Sequence, residues 1–312
     1  MLRIVVRRLA LAVPLLFLVT ALTFLLVALT PGDPAADLLG TLAGKAQLAA
    51  VDRQYGFDLP VWDQYWRWLS HALAGNLGTS LVNGQSVTSQ LDARLPVTLA
   101  LVVGAAGAAA LLGIALGTLS AVRGGIVGRV VDALAMLGFA VPNFWLGLLL
   151  IELFAVKLRV LPSGGYIPLA QYPAAWFDDL VLPVATLALG GVTGIAKQTR
   201  DAMRDAFARD FVDAMRADGM PEHRVVWHAL RVAAPPLATM TGTFAAGLLS
   251  GTVLIEAVFT LPGLGSAAAK ATSGHDLPMI QGVALYFCLA VVAINLATDL
   301  VCAWLDPKAR TV

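Results

Sequence analysis

DFVDAMRADGMPEHRVVWHALRVAAPP, residues Asp210–Pro236, is the longest charged segment in a chain that is otherwise overwhelmingly apolar. Upstream and into it, Met203, Phe207, Phe211 and Ala214 recur at helical spacing and predict one apolar stripe, with Asp205 and Arg209 four apart on the wetter side. Gly219 suits the left-handed residue that closes a helix, and Pro221 suits the first position of the next. The expectation is two helices joined by a Gly-Met-Pro elbow. From these residues alone the segment fits a solvated loop between two membrane spans as well as it fits a docking surface.

Composition decides the solvent. With 58% hydrophobic residues, 13% charged residues and a mean hydropathy of +0.78, the 312-residue chain has too little polar surface to cover a water-soluble globule. A polytopic membrane protein needs this balance. The net charge of +1 lacks the clustered basic face that phosphates demand, which argues against a nucleic-acid partner.

Working outward, Leu9 to Leu29 is an uncharged run preceded by Arg3, Arg7 and Arg8. A signal peptide has an apolar core of only ~7–15 residues, so the run reads as a retained first span, with Pro14 tolerated as membrane helices tolerate it. From Gly32 to Arg94 the chain is polar and mixed. Trp62, Tyr65, Trp66 and Trp68 cluster there, suiting either a membrane interface or a small folded cap. The second span is expected from about Pro96 to Val122, with Gly113 and Gly117 as a small-residue face for close packing, and the third from about Val130 to Val156. Glu152 is read as the carboxylate well inside a span, and Lys157 and Arg159 just beyond it favour a local pairing. A fourth, short, glycine-rich span is expected from about Leu182 to Ala196, a fifth from Val232 to Phe259 and a sixth from Pro278 to Trp304.

Six spans place both termini on one side, and the positive charges orient them. An inside N-terminus puts fourteen of the twenty-one Lys and Arg residues in cytoplasmic segments, seven of them between Lys197 and Arg231. The chain then divides into 1–31, cytoplasmic N-terminus and first transmembrane helix; 32–95, an extracytoplasmic segment; 96–305, a five-helix core holding a cytoplasmic coupling loop at 197–231; and 306–312, a cytoplasmic tail.

Reactive chemistry is missing from the pattern. Cys288 and Cys302 both lie in the last span and read as small apolar residues. His71, His223, His228 and His275 have no partners at metal-ligand spacing, and no nucleophile elbow or phosphate-binding loop occurs. Neither catalytic residues nor a metal site are expected. Within the spans the hydrogen-bonding side chains are isolated: Thr186, Thr193, Thr241, Ser250, Thr252 and Asn295 are the candidates for a translocation pathway, some of them expected to bond their own helix backbone. An ion-coupled secondary transporter would carry midplane ionisable groups or inverted repeats, and neither is evident.

Asp213-Ala214-Met215 followed by Gly219 resembles the "EAA…G" loop of the permease subunits of binding-protein-dependent ATP-binding-cassette importers. Asp213 stands for the family's Glu and Met215 for its second Ala, and the downstream Ile-x-Leu-Pro is replaced by the later Pro235 and Pro236. The resemblance extends over nearly the whole chain. Thr30-Pro31-Gly32-Asp33-Pro34, Tyr55-Gly56-Phe57-Asp58-Leu59-Pro60, Arg94-Leu95-Pro96-Val97-Thr98-Leu99, Val141-Pro142-Asn143-Phe144-Trp145, Glu256-Ala257-Val258-Phe259-Thr260-Leu261-Pro262-Gly263, Gln281-Gly282 and Asp306-Pro307-Lys308 are similar to the dipeptide, oligopeptide and nickel branch, DppB/OppB type.

The resemblance implies an all-α integral membrane protein of the type I importer permease fold in a bacterial inner membrane. It implies transport of short peptides, with nickel complexes, glutathione or haem as alternatives within the branch. Its expected partners are a second homologous permease, two cytoplasmic ATPases that bind ATP and Mg, an extracytoplasmic solute-binding protein and the lipid bilayer. This chain itself would hold no cofactor. ATPase docking would fall on Asp213, Ala214, Met215, Gly219, Met220, Pro221, Glu222 and Arg224, and an outer gate or binding-protein contact on Glu256, Phe259, Pro262 and Gly263.

Overall fold

A computed structural model describes residues 2–29, 44, 46, 47, 49, 53, 56, 58–126, 128–130, 133 and 141–305. The tail 306–312, residues 30–43 of the polar segment and residues 134–140 of the third expected span lie outside the described residues. The helices are α1 (Leu2–Ala28), α2 (Val61–Leu73), α3 (Val87–Arg123), α4 (Asn143–Leu150, running into a π-helical stretch Ile151–Lys157), α5 (Pro173–Phe207), α6 (Asp210–Ala217), α7 (Glu222–Val258), α8 (Leu264–Ser273) and α9 (Leu277–Leu305). Among the described residues, five of these (α1, α3, α5, α7 and α9) are long and apolar enough to cross a membrane. The 37 residues of α7 reach roughly 55 Å at 1.5 Å per residue, well beyond a hydrocarbon core of ~30 Å.

The chain forms two compact units, one of 1–6, 99–261 and 293–312, the other of 7–98 and 262–292. In the second unit Leu77, Val87, Leu91, Leu264, Ala267, Ala271, Met279 and Val283 form the core. Gly282 lets α9 lie against the start of α3, since a Cβ there would meet Val87 at 2.7 Å and Leu91 at 2.8 Å. The Leu264 amide donates to Thr98 Oγ1 at 2.8 Å, which joins two of the motif segments quoted above. The aromatic cluster of α2 packs on α1: Tyr65 stands 5.7 Å from both Phe17 and Phe24, and its hydroxyl shares a 3.0 Å hydrogen bond with Thr20. Gln281 Nε2 donates to the Thr20 carbonyl at 2.7 Å, so Thr20 is the polar contact of α1 with both α2 and α9. Leu11, Val13, Leu18 and Leu26 remain more than half exposed, which lipid tolerates because its tails are as apolar as leucine.

In the other unit α7 packs on α5, and α4 touches both. Gly113 and Gly117 do form a close-packing face: a Cβ at Gly113 would press on Ile195 at 2.8 Å, and one at Gly117 would run into the Ala196 carbonyl. Gly191 sits against the Phe244 ring and Gly242 against Thr298, each without room for a side chain. The fourth span, expected from Leu182 to Ala196, is longer: its helix runs unbroken from Pro173 to Phe207, and in it Gly191 is a packing notch for Phe244.

The loop expected at 197–231 is therefore mostly helix, the end of α5 and the beginning of α7. After the short α6, α7 continues without a break from Glu222 through Pro235 and Pro236 to Val258. Cys302 Sγ and Thr239 Oγ1 both approach the Pro235 carbonyl, at 3.8 and 3.2 Å. The connection between the fifth and sixth spans contains α8. Glu152 pairs with Lys157 at 3.6 Å, both side chains exposed; a π-helix brings residues five apart onto one face. The fully buried carboxylate of the described chain is Glu256.

Candidate coupling site

The elbow of the opening segment is built from three helix ends. α5 stops at Phe207 and Ala208, and Arg209 takes an extended conformation (φ −91°, ψ 145°) before α6 begins at Asp210. Asp210 and Asp213 occupy its first turn, where carboxylates meet the positive end of the helix dipole. This break overturns the single stripe expected from Met203 to Ala214. Across Ala208–Arg209 the helical phase is lost, so Met203 and Val212 are fully buried while Ala214 is exposed.

The second end is a Schellman turn. The Met220 amide donates to the Met215 carbonyl and the Gly219 amide to the Arg216 carbonyl, each at 3.0 Å, and Gly219 has φ +74°. A Cβ on Gly219 would find nothing within 4 Å, so the glycine is required by conformation and not by space. Pro221, extended at φ −65° and ψ 140°, serves as the cap of α7, one position earlier than expected, and its carbonyl accepts from the Arg224 amide at 2.9 Å.

The two arms are then tied by charge. Arg216, in the last turn of α6, donates to Glu222, in the first turn of α7, with Nη2–Oε1 at 2.7 Å and Nε–Oε2 at 3.4 Å. Each partner also sits where its helix dipole favours it. The Arg216 guanidinium lies 6.0 Å from the centre of the Phe207 ring at the end of α5. Because α7 overruns the membrane, Glu222 stands outside the hydrocarbon. Its hydrogen bond with Arg216 holds its carboxyl below the usual range, and the same bond raises the Arg216 guanidinium. Arg216 was not singled out by the sequence; the available signal was an Arg just before a closing Gly with an acid six positions on.

Beneath the elbow Met203, Ala206, Ala229, Ala233 and Leu237 form one buried cluster, with Ile114 and Phe207 packed against it. The base of α5 and the base of α7 are thus clamped together, and displacement of the elbow must move both long helices. Of the expected docking residues, Asp213, Ala214, Gly219, Pro221, Glu222 and Arg224 are exposed and Met215 and Met220 half-buried.

The expected pathway residues are distributed over α5, α7 and α9. Thr186 and Thr252 are fully buried, and their hydroxyls donate to Leu182 and Leu249 carbonyls at 2.8 and 2.9 Å. Thr193 and Thr241 likewise bond Gly190 and Leu237 of their own helices. Ser250 is exposed and Asn295 half-buried. Glu256 and Phe259 are buried at the end of α7, Pro262 is exposed, and Gly263 caps α8. Among the described residues no group of three His, Cys, Asp or Glu could hold a metal ion.

The elbow is thus an exposed, charged connection between two long apolar helices. The chain belongs to the family of inner-membrane components of binding-protein-dependent transport systems, whose model matches residues 113–311, while residues 1–102 match the corresponding N-terminal model. It is the membrane permease of an ATP-driven importer, and hydrolysis resides in separate subunits. Among its relatives, a Brucella abortus protein named for a peptide transport system permease is 36% identical over 309 residues, 98% of each chain. A Sinorhizobium fredii protein named for a peptide ABC transporter permease is 35% identical over 308 residues, again 98% of each. The glutathione transport system permease protein of Salmonella paratyphi A is 36% identical over 312 residues, 99% of each.

Proposed function

We propose that this chain forms half of a translocation pathway for short peptides and receives the ATPase stroke through the Asp210–Glu222 elbow. The observation that carries the substrate class is the end-to-end similarity to permeases named for peptide transport. Glutathione is the second reading, favoured by an equally similar relative. The assembly pairs this chain with a second, related permease, two ATPases that bind ATP and Mg in the cytoplasm, and an external solute-binding protein. In this reading the chain spans the membrane six times with both termini and the elbow in the cytoplasm, as the Lys and Arg distribution favours. Rigid-body motion of α5 and α7, driven from the elbow, opens the pathway alternately to each side.

Isolated hydroxyls already bonded to their own helices make a weakly binding conduit. Selection then falls to the binding protein, which would meet the permease near exposed Pro262, while buried Glu256 and Phe259 would act from the interior as part of an outer gate. The test is affinity purification of the tagged chain in mild detergent, with mass spectrometry of the copurifying subunits. It is paired with uptake of labelled di- and tripeptides and glutathione by cells with and without the chain. Two ATPases, one further permease and chain-dependent peptide uptake are expected. Peptide uptake unaffected by deletion, or purification without an ATPase, refutes the reading.

A further inference from the structure

Three helices of the elbow-bearing unit, α3, α7 and α9, enclose a groove of ≈ 1100 Å³ that the coupling role leaves unused. This is larger than the ~300–1,000 Å³ of a typical small-molecule site. Its α7 wall runs from Trp227 to Ala245, roughly 27 Å at 1.5 Å per residue, a length comparable to the ~30 Å hydrocarbon core. The walls are almost wholly aliphatic. Thr241 and Thr298 also line it, but their hydroxyls donate to the Leu237 and Ile294 carbonyls at 2.9 and 2.8 Å and have no proton left for an occupant.

One end differs from the rest. Arg231 is the single ionisable side chain on the lining; it is exposed, and among the described residues no carboxylate pairs with it. Trp227 and Trp304 flank the same end and are 59% and 70% exposed. Tryptophans so placed mark headgroup depth, and a basic pocket between membrane helices suits an anionic lipid head. A peptide solute would need an acid for its amino terminus as well as a base for its carboxylate, and the groove offers only the base. An apolar helix of another subunit would cover the guanidinium at headgroup depth without offering it an anion.

We propose that this groove is a binding site for an anionic phospholipid, with the headgroup phosphate on the Arg231 guanidinium and an acyl chain lying along Leu237, Ala245 and Val301. Arg matches phosphate through two parallel N–H donors, and the aliphatic walls take the chain. The lipid would fill the cleft between α3, α7 and α9 close to the clamp under the elbow, where it stiffens the base of α7.

The test uses the intact importer in phosphatidylcholine nanodiscs carrying a trace of either diazirine-bearing phosphatidylglycerol or diazirine-bearing phosphatidylcholine, with labelled residues mapped by mass spectrometry. Phosphatidylglycerol should label residues 102–107 or 234–245 about fivefold more than phosphatidylcholine, the discrimination that one interfacial cation supplies. Arg231→Gln should bring the ratio to about one, and Arg231→Lys should retain most of it. Ala238→Phe, which fills the groove without altering charge, should lower labelling by both lipids. Equal labelling by the two lipids in the unaltered importer overturns the proposal, as does a ratio unchanged in Arg231→Gln or labelling unchanged in Ala238→Phe. Efficient disulfide formation between Ala238→Cys and a cysteine of the second permease would also overturn it, by assigning the groove to a helix of that subunit.

Discussion

Two corners of the molecule make the same backbone turn by different means. At the elbow, α6 ends in a Schellman turn with Gly219 at φ +74°; at the end of α8, the His275 amide donates to Thr272 and the Asp276 amide to Ala271 in the same pattern, with His275 at φ +48°. Both turns lead a short helix into a long apolar one. The second tolerates a non-glycine residue in the left-handed region because its surroundings over-determine it. Asp276 is buried, caps α9 through the Met279 amide at 3.3 Å, accepts from the Leu81 amide at 3.1 Å and is hydrogen-bonded by the Ser80 hydroxyl. The elbow has no such anchor. Its turn is held by glycine's own conformational freedom and by an exposed ion pair. Under the proposed coupling role the elbow keeps its polar groups exposed for a partner to meet, whereas the Asp276 corner buries its own against the chain.

The largest expected effect belongs to the corner whose polar groups are buried. Asp276→Ala strands the Leu81 amide and the Ser80 hydroxyl in a buried place, and should destabilise the permease by about 3 kcal/mol. Asp276→Asn, which keeps an acceptor, should recover part of this. Thermal unfolding of the purified importer followed by size-exclusion recovery measures it; equal melting of Asp276→Ala and the unaltered protein would show that the buried carboxylate does not hold the corner.

The elbow should respond in function more than in folding. Gly219→Val forces a β-branched residue into the left-handed region, costing about 1–2 kcal/mol locally, and should leave membrane insertion intact while weakening ATPase association or uncoupling hydrolysis from uptake. Since a Cβ at Gly219 meets nothing, Gly219→Asn should be nearly silent, because Asn accepts this conformation. Copurified ATPase and the ratio of peptide transported to ATP hydrolysed distinguish the variants. Were Asn as damaging as Val, the glycine would be needed for space against a partner and not for its φ.

How much of this was legible beforehand follows the same division. The elbow was readable because a left-handed glycine and a helix-starting proline are local requirements, decided within a few residues, and the apolar runs were readable because lipid sets one length scale for all of them. The boundaries of α5 and α7 were not. The apolar runs mark Leu182–Ala196 and Val232–Phe259, but the helices continue past them into charged sequence, from Pro173 to Phe207 and from Glu222 to Val258, and nothing local in that charged sequence shows where they end. The break at Ala208–Arg209 was hidden for the opposite reason. The apolar spacing from Met203 to Phe211 is good helical periodicity, and only the packing of Val212 shows that the phase slips. Asp276 carries the local signal of a helix cap, but its partners at Ser80 and Leu81, nearly two hundred positions away, do not show in the sequence.

The smallest expected effect is the one that tests whether the Arg216–Glu222 pair holds the elbow in the absence of an anchor. Both side chains are about half exposed, so solvent and salt screen the pair. Glu222 has its carboxyl depressed by Arg216, so the contribution is fully present above the ordinary Glu range, near 4.3, and is lost as pH falls through the lower folded value. Across neutral pH the elbow should therefore be indifferent to pH and sensitive to ionic strength. Hydrogen exchange at the Gly219 and Met220 amides, which close the turn, should quicken by a few-fold in Arg216→Ala or Glu222→Ala and in high salt. The double reversal Arg216→Glu with Glu222→Arg should restore only part of the protection, because it places an acid at the end of α6 and a base at the start of α7, against both helix dipoles. Full restoration would mean that the pair acts by its mutual attraction alone; exchange unchanged in the single variants would mean that glycine and the α5–α7 clamp hold the elbow without it.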